Sequence, residues 1–224
     1  MLYLIAFLTA LVAYLIGSIS GAIIISKKVS GSDIRESGSK NAGTTNMLRV
    51  HGKKLAVMTL LVDVIKGVVA VLIGIIIDAV IERQYGMMSF VSPADWLVGS
   101  MKYIAAVFSI LGHDFPIYFG FKGGKGVATS IGVALMLDWK VGLIVMIAAL
   151  VIMATSRYVS LGSVIGAVIY PCIVAAFMLG MGEFNMVYLV SAIIIGLLII
   201  AKHKSNIERL KNGTENKLFS KKEN

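Results

Sequence analysis

The sequence predicts an all-α, polytopic membrane protein with about seven transmembrane helices, its N-terminus outside and its C-terminus in the cytoplasm. Three observations carry this. The 224 residues are 58% apolar and only 15% charged, with a mean hydropathy of +0.88, whereas a soluble domain is about 45–50% apolar and about 25% charged. Apolar runs of roughly spanning length recur along the whole chain. The basic residues gather on alternate loops. A soluble cytosolic enzyme, a disordered chain and a fibrous repeat are excluded on composition alone.

The apolar runs fall at residues 3–26, 54–79, 96–112, 126–138, 140–156, 161–181 and 184–202. The first has no basic segment before it, is too long for a signal peptide, and is followed by its basic residues, so it reads as a span. The second carries Asp63 and Lys66 at i, i+3. Ionised groups inside a membrane are costly, so these two either pair with each other or stand near a site. The loop 80–95, with Glu82, Arg83, Pro93 and Asp95, reads as a plain connector. The fourth run is the shortest. The sixth holds Cys172, the one cysteine, expected to be a buried small hydrophobe. A single cysteine rules out an internal disulfide. No repeat of 20–50 residues is visible, and residues 1–224 read as one membrane-embedded domain.

The charge pattern orients the spans. Seven Lys and Arg lie in residues 27–54, two in 113–125, one at Arg157 and seven from Lys202 onward. With seven spans these share one side. The other side holds Arg83, Lys102 and Lys140, and Lys66 lies within a span. The positive-inside rule makes the first side cytoplasmic. The net charge of +9 therefore reports orientation and supplies cations for anionic substrates, and no nucleic-acid partner is expected.

Four segments on the cytoplasmic side carry unusual polar residues. The first runs Ser37-Gly38-Ser39-Lys40-Asn41-Ala42-Gly43-Thr44-Thr45-Asn46-Met47-Leu48-Arg49. A helix starting near Thr44, with open backbone N–H groups and Arg49 about one turn in, suits a phosphate; a capped polar connector is the plain alternative. The second runs from Gly112-His113-Asp114 to Phe121-Lys122-Gly123-Gly124-Lys125-Gly126-Val127-Ala128-Thr129-Ser130. Its Gly-Gly-Lys-Gly before an apolar helix is a second anion cradle. It is not a P-loop, because Gly126 follows Lys125; a basic turn touching lipid headgroups is the alternative. The third, Arg157-Tyr158-Val159-Ser160, could equally be a snorkelling Arg with an interfacial Tyr. The fourth, His203 to Glu215, puts His203 and Asn206 on one helix face, and could equally be a helix end with a soluble tail. His51, His113 and His203 are scattered without HExxH, so no metal site is expected. Together the segments offer many donors, several cations and few carboxylates, which suits phosphate-bearing anions at the inner membrane face.

These segments resemble the motifs of the bacterial acyl-phosphate:glycerol-3-phosphate acyltransferases, an integral membrane family of phospholipid biosynthesis. The family's Ser-Gly-Asn-x-Gly-Ala-Thr-Asn with a later Arg is similar to Ser39 through Asn46 with Arg49; Lys40 stands where the family has Gly, and Thr44 where it has Ala. The second segment matches nearly throughout, the third at Arg157 to Leu161, and the tail at His203 to Arg209. The resemblance implies seven spans in the bacterial cell (inner) membrane. It implies acyl transfer from a fatty acyl phosphate to the 1-hydroxyl of glycerol 3-phosphate, giving 1-acylglycerol 3-phosphate (lysophosphatidic acid) and phosphate without acyl-CoA or acyl carrier protein.

On that reading both substrates bring a phosphate, and the donor is already activated, so positioning and charge stabilisation outweigh a covalent nucleophile. Arg49, Lys122 and Lys125, with Gly123 and Gly124, are expected to hold phosphate. Ser39, Asn41, Thr45, Asn46 and Ser160 are expected to donate hydrogen bonds, and His203 and Asn206 to orient the glycerol hydroxyl. The base is either His203 or, as favoured here, a phosphate oxygen of the donor. His113 is expected to support its loop rather than react. The expected partners are acyl phosphate, glycerol 3-phosphate and membrane lipid; no cofactor is expected, and the chain is expected to act as a monomer. The His-x4-Asp dyad of another class of glycerolipid acyltransferases is absent: Ala56, Tyr118 and Glu208 stand at that spacing from the three histidines. An organic-phosphate transporter and a non-catalytic anionic-lipid scaffold are the rival readings.

Overall fold

The computed structural model describes residues 1–85, 95–182 and 184–218. Its described residues contain helices and no strand. The first apolar run, expected as one helix over 3–26, is two: α1 (Leu2–Gly17) and α2 (Gly21–Ser30). Serine causes the break. The Ser18 hydroxyl donates back to the Tyr14 carbonyl at 2.8 Å, and the Ser20 side chain caps α2 by accepting the Ile23 N–H, two local bonds that compete with a continuous helix.

Helix α3 (Thr44–Tyr85) is two helical segments joined across Gly52, whose φ of 81° and ψ of −177° are not helical. The first begins at Thr44 as expected, and the long apolar one resumes just beyond Gly52, next to the expected residue 54. Only glycine adopts the joint's geometry at little cost. Helix α4 (Met101–Asp114) is capped by a neighbour. The buried Asp78 carboxylate on α3 accepts from the N–H groups of Met101 at 2.8 Å and Lys102 at 3.1 Å, satisfying donors that a helix start leaves open. Helix α5 (Val127–Leu137) follows the glycine-rich turn. Residues Met1–Leu137 form one compact unit.

The second unit begins at Asp138, whose side chain caps α6 (Trp139–Ser156). Helices α7 (Val159–Met181), α8 (Met186–Lys202) and α9 (Lys204–Lys211) follow. Helices α8 and α9 meet at a 60° bend, with His203 between them.

Four described segments are long and apolar enough to cross a membrane: Leu2–Ser30, Thr44–Gln84, Trp139–Ser156 and Val159–Met181, with the bent α8–α9 pair a fifth. The expected third and fourth spans fall short of this. Helices α4 and α5 have 14 and 11 residues, a rise of about 21 and 16 Å against a hydrocarbon core of about 30 Å. Cys172 corrects a second expectation: it is exposed on α7 rather than buried, on a face that lipid covers in a helix this apolar. Most of the connector 80–95, Pro93 included, lies outside the described residues, as do Lys221 and Lys222.

Candidate active site

The first polar loop is built on an apolar floor. Ile34, Ala42 and Met47 are buried with Ala22, Ile23 and Ala56, and Phe119 of the second loop packs against them. Asn46 ties the loop shut. It is 1% exposed, its amide Nδ2 donates to the carbonyls of Ile34, Ser37 and Asn41 at 3.0–3.1 Å, and its Oδ1 accepts the Ser39 N–H at 2.8 Å. Two amide hydrogens thus serve three carbonyls. Asn46 is expected from the sequence to face substrate; the structure places it as an internal tie of the loop. Ser39, Lys40 and Arg49 are exposed, and Asn41 and Thr45 half-buried. Lys40 adopts φ 58°, a left-handed conformation natural to glycine, which accounts physically for the Gly of the family pattern at this position. The Thr44 hydroxyl, at the first position of α3, is buried with no hydrogen-bond partner.

The second loop is clamped to the first. The Arg35 guanidinium binds Asp33 through Nε at 3.0 Å and Nη2 at 2.8 Å, while Nη1 donates to the carbonyls of Phe119 at 2.7 Å and Lys122 at 2.8 Å. The hydrogen bond from Arg35 holds the Asp33 carboxyl down at about 2 and raises Arg35 in turn. From the other side, the Tyr14 hydroxyl donates to the Phe115 carbonyl at 2.7 Å and the Ile117 N–H to the Ser18 hydroxyl at 3.4 Å. The glycines then fold back on the end of α4: Gly124 N–H donates to the His113 carbonyl at 3.1 Å and Gly123 N–H to that of Asp114 at 3.3 Å. Gly124 must be glycine, because a Cβ there would collide with the His113 ring and the Ala42 carbonyl. Lys122 is exposed and Lys125 half-buried. The first and second segments, far apart in sequence, are thus brought together.

The expected ion pair of the second span is formed, with Lys66 Nζ 2.8 Å from Asp63 Oδ1. Lys66 Nζ also lies 2.8 Å from His113 Nδ1 and donates to the Ile19 carbonyl at 2.8 Å.

In the second unit the third and fourth segments are joined by Glu215. Its Oε1 accepts from the Ser160 hydroxyl at 3.0 Å and the Asn206 amide at 2.7 Å, and its Oε2 from Arg209 Nε at 2.7 Å. Burial opposes the charge, but these three donors outweigh it and hold the carboxyl below its ordinary value. Two further ties fasten the tail, Leu218 N–H to the Arg157 carbonyl at 2.7 Å and Lys217 Nζ over the Tyr158 ring at 5.7 Å. His203 is buried, its Nδ1 2.8 Å from the Ile199 carbonyl. A carbonyl only accepts, so Nδ1 carries a proton. The sequence reading missed the anchoring roles of Arg35 and Glu215. The signal for Glu215 was a carboxylate in a tail with an excess of basic residues.

A sequence model of the family described as glycerol-3-phosphate acyltransferase matches residues 7–213. The chain belongs to that family. It is 43% identical over 213 residues to a glycerol-3-phosphate acyltransferase of Shouchella clausii, covering 95% of this chain and 96% of the relative. It is 41% identical to one of Clostridioides difficile over 214 residues, covering 96% of each. Among solved structures it is similar to PlsY (YgiH), an integral membrane glycerol 3-phosphate acyltransferase, in its glycerol 3-phosphate form. The TM-score is 0.77 and the identity 36%, over 95% of both chains. The lysophosphatidic acid form of PlsY gives 0.74 and 34% over the same share. The membrane character read from composition and the acyltransferase family read from the motifs therefore stand.

Proposed function

We propose that this protein transfers a fatty acyl group from an acyl phosphate to the 1-hydroxyl of glycerol 3-phosphate, releasing inorganic phosphate and 1-acylglycerol 3-phosphate. The observation that carries this is the pair of clamped loops. Arg35 locks them together, while Arg49 and Lys122 remain exposed with no ion pair among the described residues. Free cations beside the start of α3 suit a phosphate dianion. The family and the two forms in which PlsY was solved, with glycerol 3-phosphate and with lysophosphatidic acid, support the acceptor and the product.

Arg49, Lys122 and Lys125 hold phosphate in this reading, with Gly123 and Gly124 giving backbone access. Ser39, Asn41 and Thr45 donate hydrogen bonds. In the second unit His203 and Asn206 orient the glycerol hydroxyl, and Ser160 acts with them through Glu215. The hydroxyl proton passes to the departing phosphate, with His203 Nε2 as the other candidate base. The chain crosses the bacterial inner membrane seven times, α4 and α5 being short passes, with the N-terminus outside and the active site cytoplasmic. The alternate-loop placement of Lys and Arg supports that orientation.

The test is purified protein supplied with palmitoyl phosphate and glycerol 3-phosphate and assayed for phosphate and lysophosphatidate, without metal, nucleotide or CoA. Product should form, and Arg49→Ala and Lys125→Ala should each lose most of it while still inserting. A requirement for an acyl-CoA thioester overturns the donor. Uptake of glycerol 3-phosphate without lipid product favours a transporter, and lipid binding without turnover a scaffold.

A further inference from the structure

We propose that Asp63, Lys66 and His113 form a buried positioning network that sets the place of the Gly123–Gly126 turn, and so of Lys125, for acyl transfer. The inference rests on the acyl-phosphate reading above for its consequence, though not for its geometry.

An ammonium has three N–H donors and no acceptor. Three groups stand 2.8 Å from Lys66 Nζ: the Ile19 carbonyl in the α1–α2 break, which accepts from it, His113 Nδ1 on α4, and Asp63 Oδ1 on α3, which it meets as an ion pair; Asp63 Oδ1 also lies 3.5 Å from His113 Nδ1. Asp63, Lys66 and His113 are 1%, 5% and 5% exposed. Because Lys66 can only donate, Nδ1 accepts, and the neutral imidazole carries its hydrogen on Nε2. The buried Asp114 carboxylate at the end of α4 also faces this ammonium, so Lys66 is the cation that answers the carboxylates buried here.

The ring's far edge faces the turn. The position a Cβ of Gly124 would occupy is taken by His113 Nε2 and by the Ala42 carbonyl of the first loop, and Gly124 N–H donates to the His113 carbonyl. Asp63 holds Lys66, Lys66 holds the ring, and the ring backs Gly124, one residue before Lys125. A ring that tilts carries the turn with it. For a donor that is already activated, placement is most of the chemistry, and a displacement of about 1 Å costs on the order of a hundredfold. Three polar residues buried in an apolar bundle cost more than aliphatic ones of like volume; holding the turn is the return on that cost.

The experiment uses the full chain, purified in detergent, as His113→Leu, His113→Asn, His113→Gln and the double variant Asp63→Leu/Lys66→Met. The double variant removes both members of the ion pair together, so neither is left buried without the other. Asparagine places a carbonyl where Nδ1 accepts; glutamine reaches toward Nε2 instead. In His113→Leu and the double variant kcat should fall by about thirtyfold or more, with KM for glycerol 3-phosphate within about threefold, the signature of lost positioning rather than lost affinity. Hydrogen exchange at the Gly123 and Gly124 amides should quicken by about tenfold. His113→Asn should recover kcat to within about fivefold of the parent, and His113→Gln should not. Parent-like kcat and exchange in both His113→Leu and the double variant overturn the network. So does glutamine matching asparagine, an outcome that still decides the matter if His113→Leu does not fold. If the parent fails to turn over acyl phosphate, the proposed reaction falls, while the exchange comparison still decides whether the network holds the turn.

Discussion

Replacing Asn46 by alanine separates an internal tie from a substrate contact. The substitution takes the acceptor from the Ser39 N–H and one of two donors from each of three carbonyls. The Ile34, Ser37 and Asn41 carbonyls keep the N–H groups of Ser37 at 3.3 Å, Lys40 at 3.0 Å and Gly43 at 3.1 Å, so no buried group is orphaned, and Ser39 is exposed to water. The closed loop should lose about 1.5 kcal/mol, which multiplies its open population about tenfold. Lys40 is exposed at the loop's crest and offers trypsin a site whose cleavage follows that population when closing is fast. Asn46→Ala should therefore be cut at Lys40 about tenfold faster and lose part of its acyl transfer. Asn46→Asp should do no better, because a carboxylate would face three carbonyl oxygens. Cleavage within about threefold of the parent, with only KM for glycerol 3-phosphate raised, would refute the argument and return Asn46 to the substrate.

The clamp between the loops predicts that Arg35→Met lowers turnover by about tenfold or more and that Arg35→Lys does not rescue it, since a compact ammonium lacks the planar fork whose separated nitrogens reach Asp33 on one side and two carbonyls on the other. Gly124→Ala should insert normally yet be nearly inactive in the phosphate-release assay, because its methyl meets the His113 ring and a backbone carbonyl that cannot move aside. Glu215 has a lowered carboxyl value, so its contribution is complete above the ordinary value of 4.5 and is lost as pH falls through the lowered one. The drop in thermal midpoint caused by Glu215→Ala should accordingly be largest near neutral pH and shrink as the pH is taken below 4.5. Cys172→Ala should be silent in activity, and the native thiol should react with a membrane-soluble maleimide faster than with a charged one, as its exposure on α7 requires.

Composition and charge placement were enough to read a helical membrane protein, and motif order was enough to read the family. What escaped the sequence was where helices break and which polar side chains turn inward. Hydropathy averages over windows, so it ran through Ser18-Ile19-Ser20, where two hydroxyls bond to nearby backbone and split α1 from α2. It did find the break at Gly52, where the polar stretch around His51 gives way to the long apolar segment. The motif residues were legible as a set but not in their division of labour. Asn46 and Ser39 look alike in sequence as small polar donors. One is sealed beneath the loop and the other exposed on it, because only the longer amide reaches three carbonyls at once. Cys172 was misread for a related reason: a small apolar residue in an apolar run gives no sign of which side of the helix it occupies.

The cost of these ties follows from the chemistry proposed. A mixed anhydride of a fatty acid and phosphate needs no help to become reactive, so a flexible cationic site would add little beyond attracting it. Fixed geometry is what the enzyme has to supply. The first unit spends its buried polar groups accordingly: Arg35 on two carbonyls of the second loop, Asn46 on three of the first, Lys66 on a histidine that backs a glycine. Each ends on a main-chain group of one of the two clamped loops or on a residue that touches one, and each leaves Arg49 and Lys122 unspent. Substitutions in this frame should therefore act first on kcat and only secondarily on affinity, whereas Arg49 and Lys122 should show the opposite balance, with KM rising before turnover falls.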